Sequence, residues 1–516
     1  MIKNIKLLLL VSLTFLACTK KEDDVVLINS ADGLPLTAGS ANFSKYVALG
    51  NSLSAGYSDG ALFKEAQKTS WTAILADQFK LVGGGEFKIP FMADNVGSFT
   101  ISGNIPQGVN PRLYFNGVGP VPVGGVPTTE ILNPAVSAAG PYNNCGVPGA
   151  KSFHLLSSGY GTASNLSLGS ANPFYVRFAS QTSPKSVIDY AMDQSPTFFS
   201  LWIGNNDVLG YATSGGDDSN PITPATGAPG TGFDGTYTAL ITKLTANGAK
   251  GVVSNIPYVT SVPFFTTVPI DPIPGLAPAN ATQLNQLFGG INTALTEAGL
   301  PKRFATIVAD DGNPKTIEKN PLLIKDESLP NISVQITVAL TPTFGAATAG
   351  FIGGLYGQAR HAVGTGDLKD YILLTARGVI GTTQAGPIPP SFSTIGVTYP
   401  MEDKTTLTAN EVSLIKTATD AYNATIKSLA NSKGLAFVDA NLALAQVANG
   451  GITSNGYTVK SDYVTGGGFS LDGVHPSPRG YALLANEFIK AINSTYGSNL
   501  KGVNLGDYRI QFPKNL

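Results

Sequence analysis

The chain has 516 residues, with 33 basic and 34 acidic side chains, a net charge of −1, and only 13% of its residues charged. That balance excludes the basic face that nucleic-acid binding requires, while 43% hydrophobic residues make the chain globular rather than disordered. Length alone suggests about three domains, and 59 glycines with 34 prolines imply abundant loops.

The N-terminus opens with Met1-Ile2-Lys3-Asn4-Ile5-Lys6, runs apolar from Leu7 to Ala17, and reaches Cys18. A basic start, an apolar core of about ten residues and a small residue before the cut are features of an export signal. The run is too short to span a bilayer. Phe15-Leu16-Ala17-Cys18 resembles a bacterial lipobox, with phenylalanine where the pattern prefers leucine. The resemblance implies loss of residues 1–17, a lipid anchor on Cys18 and attachment to a membrane of the cell envelope. Thr19-Lys20-Lys21-Glu22-Asp23-Asp24 is similar to the export signal of surface lipoproteins in Bacteroidetes, which implies the outer membrane and surface exposure. Residues 18–42 then read as a flexible tether. With Cys18 lipidated, Cys145 is the remaining thiol and no intrachain disulfide forms. Cys145 has no adjacent base and reads as a small buried residue rather than a nucleophile.

Tyr46-Val47-Ala48-Leu49 is a short apolar run that meets Gly50-Asn51-Ser52, the pattern of a strand ending in a tight turn. Ser70 to Ala76 has helical spacing. Residues 84–142 are Gly/Pro-rich and read as an insertion. The apolar run Phe198–Ile203 leads into Gly204-Asn205-Asn206-Asp207, and residues 208–233 read as a polar loop. Gly235 to Lys250 predicts a helix and Val252 to Pro257 a strand.

Residues 258–405 form a block large enough for a subdomain, with a helix near Thr282–Glu297. Within it, Ser333 to Gln358 carries no charge. Its proline, glycines and threonines argue against a membrane span and for buried strand and loop, or an apolar lid. Phe264-Phe265 reads as core rather than as pocket lining. Asp217-Asp218 and Asp310-Asp311 read as acidic turns, because neither continues into a calcium loop with its closing glutamate. Thr408 to Ser432 predicts a long helix, Leu435 to Asp439 a strand, and Tyr481 to Ile492 a final amphipathic helix.

The chemistry concentrates at two places. A serine on a strand-end turn is pushed out at the carboxyl edge of the sheet, where open α/β sheets bind ligands. It needs a base and a carboxylate to become a nucleophile. Of the three histidines, His154, His361 and His475, only His475 has an acidic residue within the three positions before it, Asp472. A carboxylate three residues earlier on a Gly/Pro-rich loop can fold back onto Nδ1 and leave Nε2 free. His154 reads as solvent-facing or packed, and His361 shows no partner. Asp207 reads as structural, its hydrogen bonds pinning the loop beside Asn206.

Four blocks, Gly50-Asn51-Ser52-Leu53, Asn144-Cys145-Gly146-Val147-Pro148-Gly149, Gly204-Asn205-Asn206-Asp207 and Asp472-Gly473-Val474-His475-Pro476-Ser477, together resemble the SGNH or GDSL hydrolases in their order. The family usually carries aspartate where Asn51 stands. The resemblance implies a flavodoxin-like three-layer α/β/α hydrolase domain with a parallel sheet over 43–500. Its core segments are 43–83, 143–257 and 406–497, and its insertions 84–142, 208–233 and 258–405. It further implies Ser52 as nucleophile, Ser52, Gly149 and Asn206 as oxyanion donors, and Asp472–His475 completing a triad that acts on acyl esters of lipid, acetylated glycan or small molecules. Such chemistry requires no metal or organic cofactor. Asn51 and the insertions also motivate an alternative, a surface lipoprotein that binds glycan or lipid on the same scaffold without turnover.

Overall fold

A computed structural model describes residues 33–364 and 369–516. The signal segment, Cys18 and most of the expected tether lie outside the described residues. Five strands form one parallel sheet: β1 (Tyr46–Gly50), β2 (Asn144–Gly146), β3 (Phe198–Trp202), β4 (Lys250–Ser254) and β5 (Ala436–Val438). The spatial order is β2-β1-β3-β4-β5, a doubly wound order. Ala48 of β1 lies opposite Asn144 on one side and Ser200 on the other. β1 and β3 are buried along their whole length, as parallel strands covered on both faces must be.

Alternate residues feed two helical layers. Val47, Leu49, Phe199, Leu201 and Val253 pack with helices Val187–Met192, Phe233–Thr245 and Ala409–Ser432. Tyr46, Ala48, Phe198, Trp202 and Val252 pack with helices Trp71–Lys80 and Pro478–Tyr496. All five strands arise from the three segments read as core, and the helices expected there are present. The sheet reverses its winding between β1 and β3, so the crevice at their carboxyl ends is where such a sheet takes a ligand.

The expected tether is shorter than its composition suggests. The Ser40 amide donates to the Tyr496 carbonyl at 2.8 Å and the Thr37 amide to Asn499 Oδ1 at 2.7 Å, with Ala41 and Phe43 buried. Two apolar side chains after a polar stretch suffice to dock residues 37–43 on the end of the last helix.

The block 258–405 has hydrophobic clusters of its own, one around Phe288, Ile291, Ile336, Leu340 and Ile352, another around Ile324, Ile372 and Met401. Residues 333–358 are not strand and loop. They form two helices, Ser333–Phe344 and Ala346–Tyr356, that break at Gly345. Thr337 and Thr341 bond back to the carbonyls of Ser333 and Thr337, which satisfies their hydroxyls inside a helix. Gly353 lets the pair approach closely, since a Cβ there would sit 2.4 Å from the Ser333 carbonyl oxygen. Tertiary packing has overridden local propensity. Among the described residues, no helix is long and apolar enough to cross a membrane.

His361 does have a partner. It is buried in this block, and its Nδ1 accepts from the Ala305 amide at 2.8 Å. Residues 208–233 are not all loop, because helix Asn206–Thr213 runs into them. Phe265 is core, Asp310 and Asp311 accept from the amides of Gly312 and Asn313 as turn residues do, and Cys145 is buried in β2.

Candidate active site

The chain leaves β1 through Gly50, whose φ of +157° is paired with very close neighbours. A Cβ there would lie 2.2 Å from Ser54 Oγ and 2.4 Å from the Trp202 carbonyl oxygen, so only glycine fits. Asn51 caps the short helix Ser52–Ala55, its Oδ1 accepting from the Leu53 amide at 3.0 Å. Its Nδ2 donates to Asn205 Oδ1 at 3.4 Å, a contact that an aspartate, which only accepts, could not make in this arrangement. Asparagine at position 51 thus links the turn after β1 to the turn after β3.

Ser52 Oγ lies 2.9 Å from His475 Nε2, and His475 Nδ1 lies 2.8 Å from Asp472 Oδ2. Asp472 also accepts from the amides of Gly60, Val474 and His475 at 2.9 Å each, and from Ser470 Oγ at 3.0 Å. Burial pushes its carboxyl up, but its pairing with His475, which is protonated in the acid range where this carboxyl titrates, and the His475 and Val474 amides outweigh burial and hold it down to about 2. An ionised carboxylate only accepts, so Nδ1 carries the proton and Nε2 faces Ser52 with its lone pair. Two residues on, Ser477 caps helix Pro478–Tyr496 by accepting from the Gly480 amide at 3.0 Å, which fixes the end of the loop.

The turn Tyr57–Gly60, which lies outside the four sequence blocks, supports this loop. Besides the Gly60 contact, Asp59 Oδ1 accepts from the Leu471 amide at 2.9 Å and the Asp59 amide donates to Ser470 Oγ at 2.9 Å. The Tyr57 ring centre stands 4.6 Å from that of His475. Burial pushes the Asp59 carboxyl up to about 7, against the Leu471 hydrogen bond, with the Asp472 charge adding to the rise and Arg112 opposing it. The Asp-Gly pair was the available signal, since it marks a turn.

Across the crevice, the Val147 amide donates to the Gly50 carbonyl at 3.0 Å, and Asn206 Nδ2 donates to the Ala150 carbonyl at 2.9 Å. The Gly149 turn (φ +79°) is therefore held between the ends of β1 and β3. Asp207 pins it further, accepting from the Ser152 amide at 2.8 Å and Ser152 Oγ at 2.7 Å. Burial drives the Asp207 carboxyl up to about 6 despite these donors. Among the described residues, the amides of Ser52 and Gly149 meet no acceptor, and Asn206 Nδ2 spends one of its two hydrogens on Ala150. The other two histidines stand apart. His154 stacks on Tyr160 at 4.4 Å and accepts from the Lys151 amide at 3.0 Å. Burial, then Lys151, lowers it to about 4.

The relay can deprotonate a serine hydroxyl and carry the proton on Nε2, with unpaired donors nearby. If Asn206 donates to a developing oxyanion, Asn206→Ala is expected to lower kcat by about 10²–10³, with a smaller change in KM. Steady-state kinetics on a chromogenic ester checks this, and an effect confined to KM would make Asn206 a ground-state contact.

Comparison with family models, with curated proteins and with solved structures finds no match to this chain.

Proposed function

We propose that this protein is a carboxylic ester hydrolase of the SGNH or GDSL type. The observation that carries the reading is the unbroken chain of hydrogen bonds from Ser52 through His475 to Asp472, at 2.9 and 2.8 Å. His475 Nε2 takes the Ser52 proton as Oγ attacks the ester carbonyl. The amides of Ser52 and Gly149 and the Asn206 side chain receive the oxyanion. The imidazolium then protonates the leaving alcohol, and an acyl-Ser52 ester remains. Water attacks that ester by the same route, the acid departs, and Ser52 recovers its proton. Each step uses protein groups and water.

The test is labelling by a fluorophosphonate, which reacts with activated serines, followed by peptide mapping. A single label on Ser52 is expected. Refusal of the reagent by folded protein would overturn hydrolysis and leave the binding-only alternative.

The proposal extends to Cys18 as a lipid anchor in the outer membrane, on the strength of the Phe15–Cys18 pattern. Cys18→Ser is expected to move the protein from the membrane to the soluble fraction. Undiminished membrane attachment would show a different anchor.

A further inference from the structure

An apolar cavity opens beside Ser52 and His475. Two helices line it with matching stripes. Helix Ala440–Ala448 contributes Ala440, Ala443, Leu444 and Val447, and helix Pro478–Tyr496 contributes Gly480, Leu483, Leu484 and Glu487. Both sets follow the i, i+3, i+4, i+7 spacing of one helix face, the face that in a packed protein meets a neighbouring helix. Here the two faces border a space instead. Val259 and Val262, just after β4, Leu209, after β3, and the rings of Trp202 and Phe469 add to the wall. Phe264 and Phe265 do not line it, and neither does any residue of 333–358, so the expected apolar lid is absent from this cavity.

Apart from His475 itself, Glu487 is the one charged residue in the lining among the described residues. It occupies the last position of its stripe, partly exposed and 3.8 Å from Lys490. Asn51, Asn205 and Asn206 border the cavity beside the nucleophile, and the stripes beyond them are apolar as far as Glu487. A sugar ring placed there would lose its hydroxyl hydrogen bonds to water without replacement, which is costly. A hydrocarbon chain loses nothing and gains from burial. Seven residues of helix separate first and last lining positions, a path of about 10 Å at 1.5 Å per residue, on the order of eight carbons of extended chain.

We propose that this cavity receives an unbranched hydrocarbon chain of the ester substrate, so that the enzyme acts on fatty esters rather than on acetylated glycans. The inference rests on Ser52 being the nucleophile. The chain enters with its ester carbon at Ser52 Oγ and its far end toward Glu487.

The test measures kcat/KM in two series, p-nitrophenyl esters from acetate to palmitate and acetates of ethanol to dodecanol. Each buried methylene is worth about fourfold, so one series is expected to rise by at least about 10² up to a chain of about eight carbons and then level or fall. Which series rises tells whether the chain belongs to the acid or the alcohol. Ala443→Trp, which fills the cavity, is expected to cut the ratio of long-chain to short-chain kcat/KM by more than tenfold. Independently of any variant, an octyl-bearing phosphonate is expected to label Ser52 at least tenfold faster than its ethyl counterpart. Two flat series together with efficient labelling of Ser52 would overturn the chain-binding role and leave the nucleophile intact. A rising series that Ala443→Trp leaves unchanged in a folded protein would place the chain elsewhere and equally overturn it. Absence of labelling by either phosphonate would instead strike the hydrolase reading beneath it.

Discussion

Replacing Ser52 with alanine is expected to lower kcat for ester hydrolysis by about 10⁶, to the level that oxyanion donors and binding alone provide. The hydroxyl has one hydrogen-bond partner among the described residues, His475 Nε2. The helix Ser52–Ala55 is capped by Asn51, not by Ser52. The substitution therefore removes the nucleophile without removing a structural bond, and the melting temperature should stay within a degree or two of the parent. Both quantities are read on the same preparation, by hydrolysis of a p-nitrophenyl ester and by calorimetry. Activity within tenfold of the parent would sink the assignment of Ser52.

Asp472→Asn is expected to cost about 10⁴ in kcat, and here a stability change accompanies the kinetic one. The aspartate accepts five hydrogen bonds, from Gly60, Ser470, Val474 and twice from His475. An asparagine offers one oxygen for them, and its NH₂ group must point at donors or at Nδ1. If it faces Nδ1, the imidazole is forced to carry its proton on Nε2, where it cannot take one from Ser52.

The pH dependence follows from the same carboxylate. Its folded value, about 2, lies below the ordinary 3.8. The stability it contributes is complete above the ordinary value and is lost as pH falls through about 2. The parent should therefore lose melting temperature between pH 5 and pH 2.5 more steeply than Asp472→Asn does. Equal slopes would show that Asp472 is not held ionised by its neighbours. Hydrolysis by Asp472→Asn within tenfold of the parent would remove Asp472 from the relay.

Much of the site is written in short windows of sequence. The apolar run before Gly50 forms β1 because a buried parallel strand needs apolar side chains on both faces, and the Asn51 cap turns the chain so that Ser52 stands at the edge. Asp472 and His475 sit three residues apart, and Ser477 starts the final helix two residues later. Each of these is a local instruction, readable by period, cap or spacing.

What the tertiary structure alone decided lies between distant residues. Gly60 meets Asp472 across 412 positions, and nothing in Tyr57-Ser58-Asp59-Gly60 beyond a turn signal foretells that it braces the acid. The Ser333–Gln358 stretch carries valine, threonine and glycine, which suit a strand or loop in isolation. It became a helical hairpin because the small residues allow close packing and the threonines can bond back along a helix. The sequence shows the final helix as an amphipathic face, while helix Ala440–Ala448 is a finding of the structure. Periodicity says that a face is buried, not whether a side chain or a substrate covers it. That answer depends on the separation of two helices, which no local pattern encodes.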